Sequence, residues 1–71
     1  MNSNGENQRR TVTDMIIMAA IRKHGPEATT SEIADEIGLS PQLTRYRLSR
    51  LELQGELESE IREKNDLWRK I

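Results

Sequence analysis

Three arginines lie close together in one short segment, and their spacing concentrates positive charge on a single helix. Arg45, Arg47 and Arg50 fall between Leu39 and Leu51, a stretch that contains no Asp or Glu. A guanidinium presents five N–H donors in a planar fork that matches guanine edges and phosphate oxygens. A cationic helix held at a fixed angle by a partner helix is what groove recognition requires, so the segment predicts contact with double-stranded DNA.

The helix that presents these arginines is predicted over residues 41–54. Ser40 is its N-cap, and Pro41 occupies the first helical position, where its missing N–H costs nothing. Thr44, Leu48 and Leu51 follow a four-three spacing and predict the inward face. The candidate DNA contacts on this helix are Ser40, Gln42, Arg45, Tyr46, Arg47, Ser49 and Arg50. In a minor alternative, Leu43 replaces Thr44 in the core, which rotates the helix and turns Arg47 outward.

Each candidate has an expected partner. Arg45 fits guanine O6 and N7, and Gln42 fits adenine N6 and N7. Tyr46 and Ser49 are within reach of a base edge or a phosphate oxygen, and Arg50 is expected on the backbone. Three of these residues also have an interpretation that does not involve DNA. Gln42 is then only solvated, Tyr46 lies over the following hairpin, and Arg50 pairs with a nearby glutamate. For Arg45 the DNA role is favoured, because no acid lies one helical turn away and nearby carboxylates are expected to be turned elsewhere.

Two further helices must hold this one in place. Residues 13–24 show helical spacing of Ile17, Ala20 and Ile21, joined on the inner face by either Met18 or His24. Met15, Ile16 and Ala19 are then surplus apolar surface, which suits either a dimer contact or packing under a loop. The second helix begins after Thr29, whose spacing to Glu32 predicts a capping box, and ends at Gly38, with Ile33, Ala34 and Ile37 as its buried stripe.

The pattern changes after Gly55, where a β-hairpin is predicted. Leu57, Ser59 and Ile61 alternate with glutamates, as in a strand with one buried face, although the Glu-rich run also suits a continued helix. Residues 67–71 are the second strand, and Asn65 in the linking turn tolerates a positive φ. Trp68 is assigned to the core, where its indole N–H needs a partner. Arg62 and Lys64 are weaker candidate phosphate contacts, since Glu60, Glu63 and Asp66 surround them.

Composition excludes several classes of protein. The 71 residues include no Cys, one His and no Phe, and 34% of them are hydrophobic, which predicts one domain with a small aliphatic core. No nucleophile–base set, metal cluster, phosphate-cradling glycine loop or small-molecule site is evident, so we expect neither an enzyme nor a cofactor. No apolar run is long enough to cross a membrane, and a cytoplasmic protein is expected. The net charge of −1 is segregated, with acidic blocks on either side of the arginine helix.

Residues 1–10 are almost wholly polar and are predicted to form a flexible arm ahead of a domain spanning 11–71. A solvated tail is the simpler interpretation of this arm. The alternative is that Arg9 and Arg10 reach a neighbouring phosphate backbone or minor groove.

Three helices followed by a two-stranded antiparallel wing make a mainly α, winged helix-turn-helix arrangement. The residues SEIADEIGLS at 31–40, TRYRL at 44–48, RLELQGEL at 50–57 and LWRKI at 67–71 resemble those of FaeA-like bacterial regulators of fimbrial operons. This resemblance implies sequence-specific DNA binding, transcription regulation and a partner DNA-binding regulator. A single domain of this size contacts only one DNA half-site. A homodimer is the alternative to a partner regulator for contacting a second one. The competing hypothesis is a winged-helix protein–protein interaction module that does not bind DNA.

Overall fold

The computed structural model describes residues 12–71, so the predicted arm of residues 1–10 lies outside the described residues. This part of the chain forms three helices and three strands. They are α1 (Val12–His24), β1 (Ala28–Thr29), α2 (Thr30–Ile37), α3 (Pro41–Leu53), β2 (Leu57–Arg62) and β3 (Asn65–Lys70). The three helices occur where the apolar periodicity places them, and the winged helix-turn-helix arrangement is confirmed.

Local capping signals determine where α2 begins and ends. Thr29 is the N-cap: its Oγ1 accepts the Glu32 N–H at 3.1 Å, and its own N–H donates to Glu32 Oε1 at 2.9 Å. This reciprocal pair is the predicted capping box. At the other end Gly38 has φ 77°, and the N–H groups of Gly38 and Leu39 both donate to the Ala34 carbonyl. A tight left-handed turn therefore joins α2 to α3.

The ends of α3 are defined in the same way. Ser40 Oγ accepts the Leu43 N–H at 3.1 Å, and Pro41 is the first helical residue. At the C-terminus the Glu56 N–H donates to the Leu51 carbonyl, and the Gly55 N–H donates to the carbonyl of Glu52. This is a Schellman motif in which Gly55 takes φ 82°, a value that costs glycine little. The chain then turns directly into β2.

The sheet has three strands, whereas the sequence predicted a two-stranded wing. Its order is β1-β3-β2, with both pairs antiparallel. Ala28 lies opposite Trp68 and Thr29 opposite Leu67, so the two-residue β1 covers the outer edge of β3. The sequence analysis did not predict β1, because two residues are too few to show an alternation of apolar and polar side chains.

The core lies between the three helices and the base of the sheet. Its buried members are Ile17, Met18, Ala20, Ile21, Ala28, Ile33, Leu48, Leu51, Leu57 and Trp68, with Ile37 packed against them. Met18 rather than His24 completes the inner face of α1, because His24 is exposed. Thr44 is fully buried and Leu43 is exposed, so the alternative rotation of α3 is wrong.

The prediction of one buried face along β2 is only partly correct. Leu57 is buried, but Ser59 is exposed and Ile61 is 76% exposed. The hairpin extends beyond the helices after its first residues, so the alternation continues where there is no core to cover it. Within residues 12–71, α1 also leaves Val12, Met15, Ile16 and Ala19 on the surface. None of the helices in this part of the chain is long and apolar enough to span a membrane.

Candidate nucleic-acid interface

The outward face of α3 is fixed by the burial of its opposite side. Thr44, Leu48 and Leu51 are buried against the core, which confirms the predicted four-three spacing. Gln42, Arg45, Tyr46 and Arg50 are therefore exposed, while Arg47 and Ser49 lie at the border and are half-buried. The face combines donors, acceptors and cations on one rigid element, which is the composition that a DNA groove accommodates.

A shallow open depression lies at the N-terminal end of this face. It has a volume of about 470 Å³ and is lined by Ser40, Gln42, Leu43 and Tyr46. Three of these four residues were candidate contacts from the sequence. Leu43 was not: it is 45% exposed and gives the face an apolar surface of the kind that contacts a thymine methyl group. The sequence could have identified Leu43 as an exposed residue, because the burial of Thr44 turns its neighbour Leu43 outward.

Arg45 is held by an acid from the wing. Its Nη1 forms an ion pair with Asp66 Oδ2, which lies on β3. The Arg45 side chain is 57% exposed, and that of Asp66 is only 17% exposed. The expectation that nearby carboxylates are turned away from the arginines of α3 is therefore wrong at Arg45. Sequence spacing along the helix did not show this contact because Asp66 comes from another element.

Arg50 interacts with an aromatic ring rather than with a glutamate. Its guanidinium carbon lies 6.0 Å from the centroid of the Tyr46 ring, at the outer limit of a cation–π contact. Among residues 12–71, Arg50 forms no ion pair with a glutamate, so the structure does not support that interpretation. Glu52, the glutamate nearest to Arg50 in the sequence, instead accepts a hydrogen bond from Ser59 Oγ at 2.8 Å. Arg50 and Tyr46 thus lie together on the exposed side of α3.

The outer surface of the sheet bears a network of charges that engages Arg62. Arg62 Nη1 lies 2.8 Å from Glu27, and its Nη2 lies 3.1 Å from Glu60. Arg69 contacts the same two glutamates at 3.1 and 3.0 Å, and Glu58 at 3.2 Å. Three carboxylates therefore face two guanidinium groups. The charge of Arg62 is therefore already matched by carboxylates, whereas Lys64 forms no ion pair within residues 12–71.

Proton affinities in this network follow from the same contacts. Hydrogen bonds from Arg69 and then Arg62 hold the pKa of the Glu60 carboxyl below its ordinary value of 4.5. Hydrogen bonds to Glu60 and Glu27 raise the pKa of Arg62, and those to Glu60, Glu58 and Glu27 raise the pKa of Arg69. Each of these shifts favours the charged form of Glu60, Arg62 or Arg69.

Lys64 occupies the tip of the wing together with Glu63. Arg62 and Asn65 are opposite each other in the ladder, so Glu63 and Lys64 form a two-residue hairpin loop. Their φ values are 52° and 72°, the positive pair that a type I′ turn requires. Asn65, which was predicted to lie in the linking turn, is instead the first residue of β3. The turn projects the Lys64 side chain away from the core.

A buried hydrogen bond sets α2 against the sheet. Trp68 Nε1 donates to Thr30 Oγ1 at 2.9 Å, which supplies the partner that the sequence demanded for this indole. On the opposite side, Lys23 Nζ lies 2.8 Å from Glu36 Oε2 and links α1 to α2. The hydrogen bond from Lys23 lowers the pKa of Glu36. These contacts support the helix that in turn holds α3 at its angle.

Comparisons with known proteins agree with this geometry. The sequence profile of the winged helix-turn-helix DNA-binding family matches residues 10–55. A solved structure, the crystal structure of the AntR antimony-specific transcriptional repressor, superposes with a TM-score of 0.77 at 20% sequence identity. The superposition covers 86% of this chain and 54% of that one, so the chain spans about half the length of the repressor. No curated protein matches the sequence. Because the family profile matches more than half of its residues, the chain belongs to the winged helix-turn-helix DNA-binding family.

Proposed function

We propose that the protein is a cytoplasmic transcription regulator of prokaryotic type that binds double-stranded DNA sequence-specifically, with α3 in the major groove. The observation that supports this most strongly is the outward face of α3. Its exposed side chains include two arginines, a glutamine and a tyrosine, and no acid lies on the helix before Glu52. A helix of this composition, supported by α2 behind it, has the charge and the donors that base-pair edges and phosphates accept.

Within this proposal each residue has a distinct role. Arg45 donates to guanine O6 and N7, Gln42 pairs with an adenine, and Leu43 contacts a thymine methyl group. Tyr46 and Ser49 lie close enough along the same face for a base edge or a phosphate oxygen.

The remaining contacts are to the sugar–phosphate backbone. Arg47 and Arg50 neutralise phosphates, and the free N–H groups near Ser40 add a helix N-terminus that favours an anion. In the wing, Lys64 is the main phosphate contact, and Arg62 contributes only by releasing one of its two glutamates.

A second subunit or a partner protein completes a high-affinity site. One domain of this size contacts a single half-site, so a tight regulator needs two. The exposed apolar residues Val12, Met15, Ile16 and Ala19 recur at helical spacing on α1 and provide a surface for a homodimer. The FaeA-like resemblance supports the other route, in which a fimbrial-type regulator acts beside a second DNA-binding protein.

The salt dependence of DNA binding tests the proposal. Duplexes selected from a random pool would be titrated with the protein at two salt concentrations in a mobility-shift assay. A protein that neutralises several phosphates loses affinity steeply as salt rises, because condensed counterions are released on binding. Arg45→Ala should cost about 1–3 kcal/mol on the selected sequence and relax the preference at one base pair. Absence of binding to any duplex at low salt would contradict DNA recognition.

The alternative function is a protein–protein interaction module. One specific observation favours it: α1 exposes a contiguous apolar stripe that DNA recognition by α3 does not use. On this alternative, substitution of Ile16 by Glu abolishes association with the partner protein while the arginine substitutions on α3 leave it unchanged.

A further inference from the structure

We propose that Asp66 is a positioning residue that determines sequence specificity by holding Arg45 for a base edge and away from phosphate. This inference rests on the proposed function, since it concerns how α3 discriminates between sequences. It assigns to the wing a role other than its own contact with the DNA backbone.

The geometry of the ion pair supports this role. Asp66 lies on β3, opposite Ile61 of β2, and reaches across to Arg45 Nη1 on α3. The carboxylate is largely covered, with 17% of the Asp66 side chain exposed, whereas 57% of the Arg45 side chain is exposed. The acid is therefore the anchored partner. The remaining N–H donors of the guanidinium stay accessible on the face that the helix turns to the groove.

The first consequence of the Arg45–Asp66 ion pair is that the Arg45 side chain is ordered before it meets DNA. An unrestrained arginine has many rotamers, and it loses them when it binds a base through two parallel hydrogen bonds. An arginine already held at one nitrogen loses fewer on binding, and its fork is presented at a fixed angle. Contacts that require one geometry, such as those to guanine, gain more from this than contacts to phosphate, which tolerate many geometries.

Charge is the second consequence. Asp66 matches the charge of Arg45, so the pair as a whole is neutral and is only weakly attracted to the phosphate backbone. Hydrogen bonds to neutral base edges remain available to it. Among residues 12–71, Arg47 and Arg50 form no ion pair with a carboxylate and keep their full charge for phosphates. The arginines of α3 are thereby divided into one that discriminates between bases and two that supply non-specific affinity.

The test compares four forms of the full chain: the parent, Asp66→Asn, Arg45→Ala and the double variant. Each is titrated with the duplex selected by the parent and with a duplex changed at the base pair that Arg45→Ala ceases to distinguish. The ratio of the two Kd values measures discrimination, and titrations at several salt concentrations give the salt slope. Glu63→Gln is the matched control, because it removes one negative charge from the same hairpin at a residue that is exposed.

In the parent background, Asp66→Asn should reduce discrimination by about tenfold, within the range set by one base-pair contact. Binding to the changed duplex should tighten, and the salt slope should steepen by about one as Arg45 becomes free for phosphate. In the Arg45→Ala background the same substitution should leave discrimination unchanged. Glu63→Gln should tighten both duplexes equally and keep the parent's ratio.

Unchanged discrimination in Asp66→Asn would overturn the inference, and so would an equal gain of affinity on both duplexes, which indicates a simple inhibitory contact. A loss of discrimination that persists in the Arg45→Ala background would also overturn it, because Asp66 would then act through another group. If Asp66→Asn does not fold, Arg45→Lys serves in its place: it keeps the charge but loses the fork, and should lose discrimination with the salt slope preserved. Failure of the parent to bind any duplex would instead remove the proposed function itself.

Discussion

The indole of Trp68 donates a hydrogen bond to the hydroxyl of Thr30 across 2.9 Å of the protein interior. Both residues are buried, and they belong to β3 and to the first turn of α2. The bond therefore joins the last strand of the wing to the helix that supports α3. Because neither group has access to water, its loss leaves one polar atom without a partner.

Removal of the acceptor should destabilise the protein. Thr30→Val keeps the shape of the side chain but leaves the indole N–H of Trp68 unsatisfied, at a cost of about 1–3 kcal/mol in the free energy of unfolding. Thr30→Ser is the matched control, because it keeps the hydroxyl and loses only a methyl group. Urea unfolding followed by the fluorescence of this single tryptophan measures both. A valine variant as stable as the parent would show that the hydrogen bond contributes nothing.

Removal of a second buried hydroxyl, that of Thr44, should not destabilise the protein. Thr44 is fully buried, and its Oγ1 has no hydrogen-bond partner among the described residues. Thr44→Val removes this unsatisfied atom and should leave stability unchanged or raise it by up to about 1 kcal/mol. Thr44→Ser, which keeps the hydroxyl and deletes a methyl group, should lose about 1 kcal/mol. Thermal or urea unfolding distinguishes them, and a valine variant less stable than the serine variant would contradict the expectation.

The turn of the wing should be open to stabilisation. Glu63 and Lys64 both have positive φ, which costs a residue with a Cβ about 1–2 kcal/mol. Replacement by Asn-Gly, the preferred pair for a type I′ turn, should therefore raise the free energy of unfolding by about 1 kcal/mol. Lys70→Gly provides the control, since the same type of change in the extended β3 should destabilise. A loss of stability in the Asn-Gly variant would mean that the turn has another conformation.

Acid should weaken the protein through Glu36 and Glu60. Both carboxyl groups have a pKa below the ordinary value of 4.5, Glu36 because of Lys23, and Glu60 because of Arg69 and then Arg62. A group whose pKa is lower in the folded state stabilises fully above its unfolded pKa and loses that contribution as pH falls through the folded value. Stability should thus decline below about pH 4.5.

Urea midpoints measured between pH 6 and pH 3 test this decline. Glu60→Gln should show a shallower loss than the parent, and high salt should reduce the difference because these side chains are exposed. Glu63→Gln serves as the control, since its carboxylate forms no ion pair within residues 12–71. Identical slopes for Glu60→Gln and the parent would show that the Arg62–Arg69 network does not persist in solution.

The proposed contact between Leu43 and a thymine can be tested by removing the methyl group of that thymine. If Leu43 contacts a thymine, replacement of that thymine by deoxyuridine in the selected duplex should weaken binding of the parent severalfold, by about 1 kcal/mol. Leu43→Ala should bind both duplexes equally. Because the side chain is 45% exposed, stability should change little, and unfolding measurements provide the control. A parent protein indifferent to deoxyuridine at every position would exclude the contact.

Much of the fold follows from signals within a few residues of each other. The capping box between Thr29 and Glu32, the left-handed Gly38 and the Ser40-Pro41 start of α3 all operate over one helical turn, and each was predicted from the sequence. The burial of Thr44 rather than Leu43 likewise follows from helical periodicity. The outward face of α3, and with it the positions of Gln42, Arg45, Tyr46 and Arg50, was predictable for this reason.

The contacts that the sequence did not predict are those between distant elements. Asp66 meets Arg45 only because the fold brings the start of β3 to the exposed side of α3, and β1 exists only because Ala28 and Thr29 pair with Trp68 and Leu67. A two-residue strand has no periodicity of its own. The type I′ turn was also missed, because Glu63 and Lys64 are poor residues for positive φ and only the register of the hairpin places them there.

Thr29 is at once the last residue of β1 and the N-cap of α2, and this double assignment limits how the domain can be engineered. β3 therefore pairs with the same residue that begins the helix-turn-helix. A fragment ending at Gly55, where the family profile stops, would lack the strand against which that threonine is ordered. A foreign wing grafted after Gly55 would have to re-create the pairing with Ala28 and Thr29 to keep the three-stranded sheet.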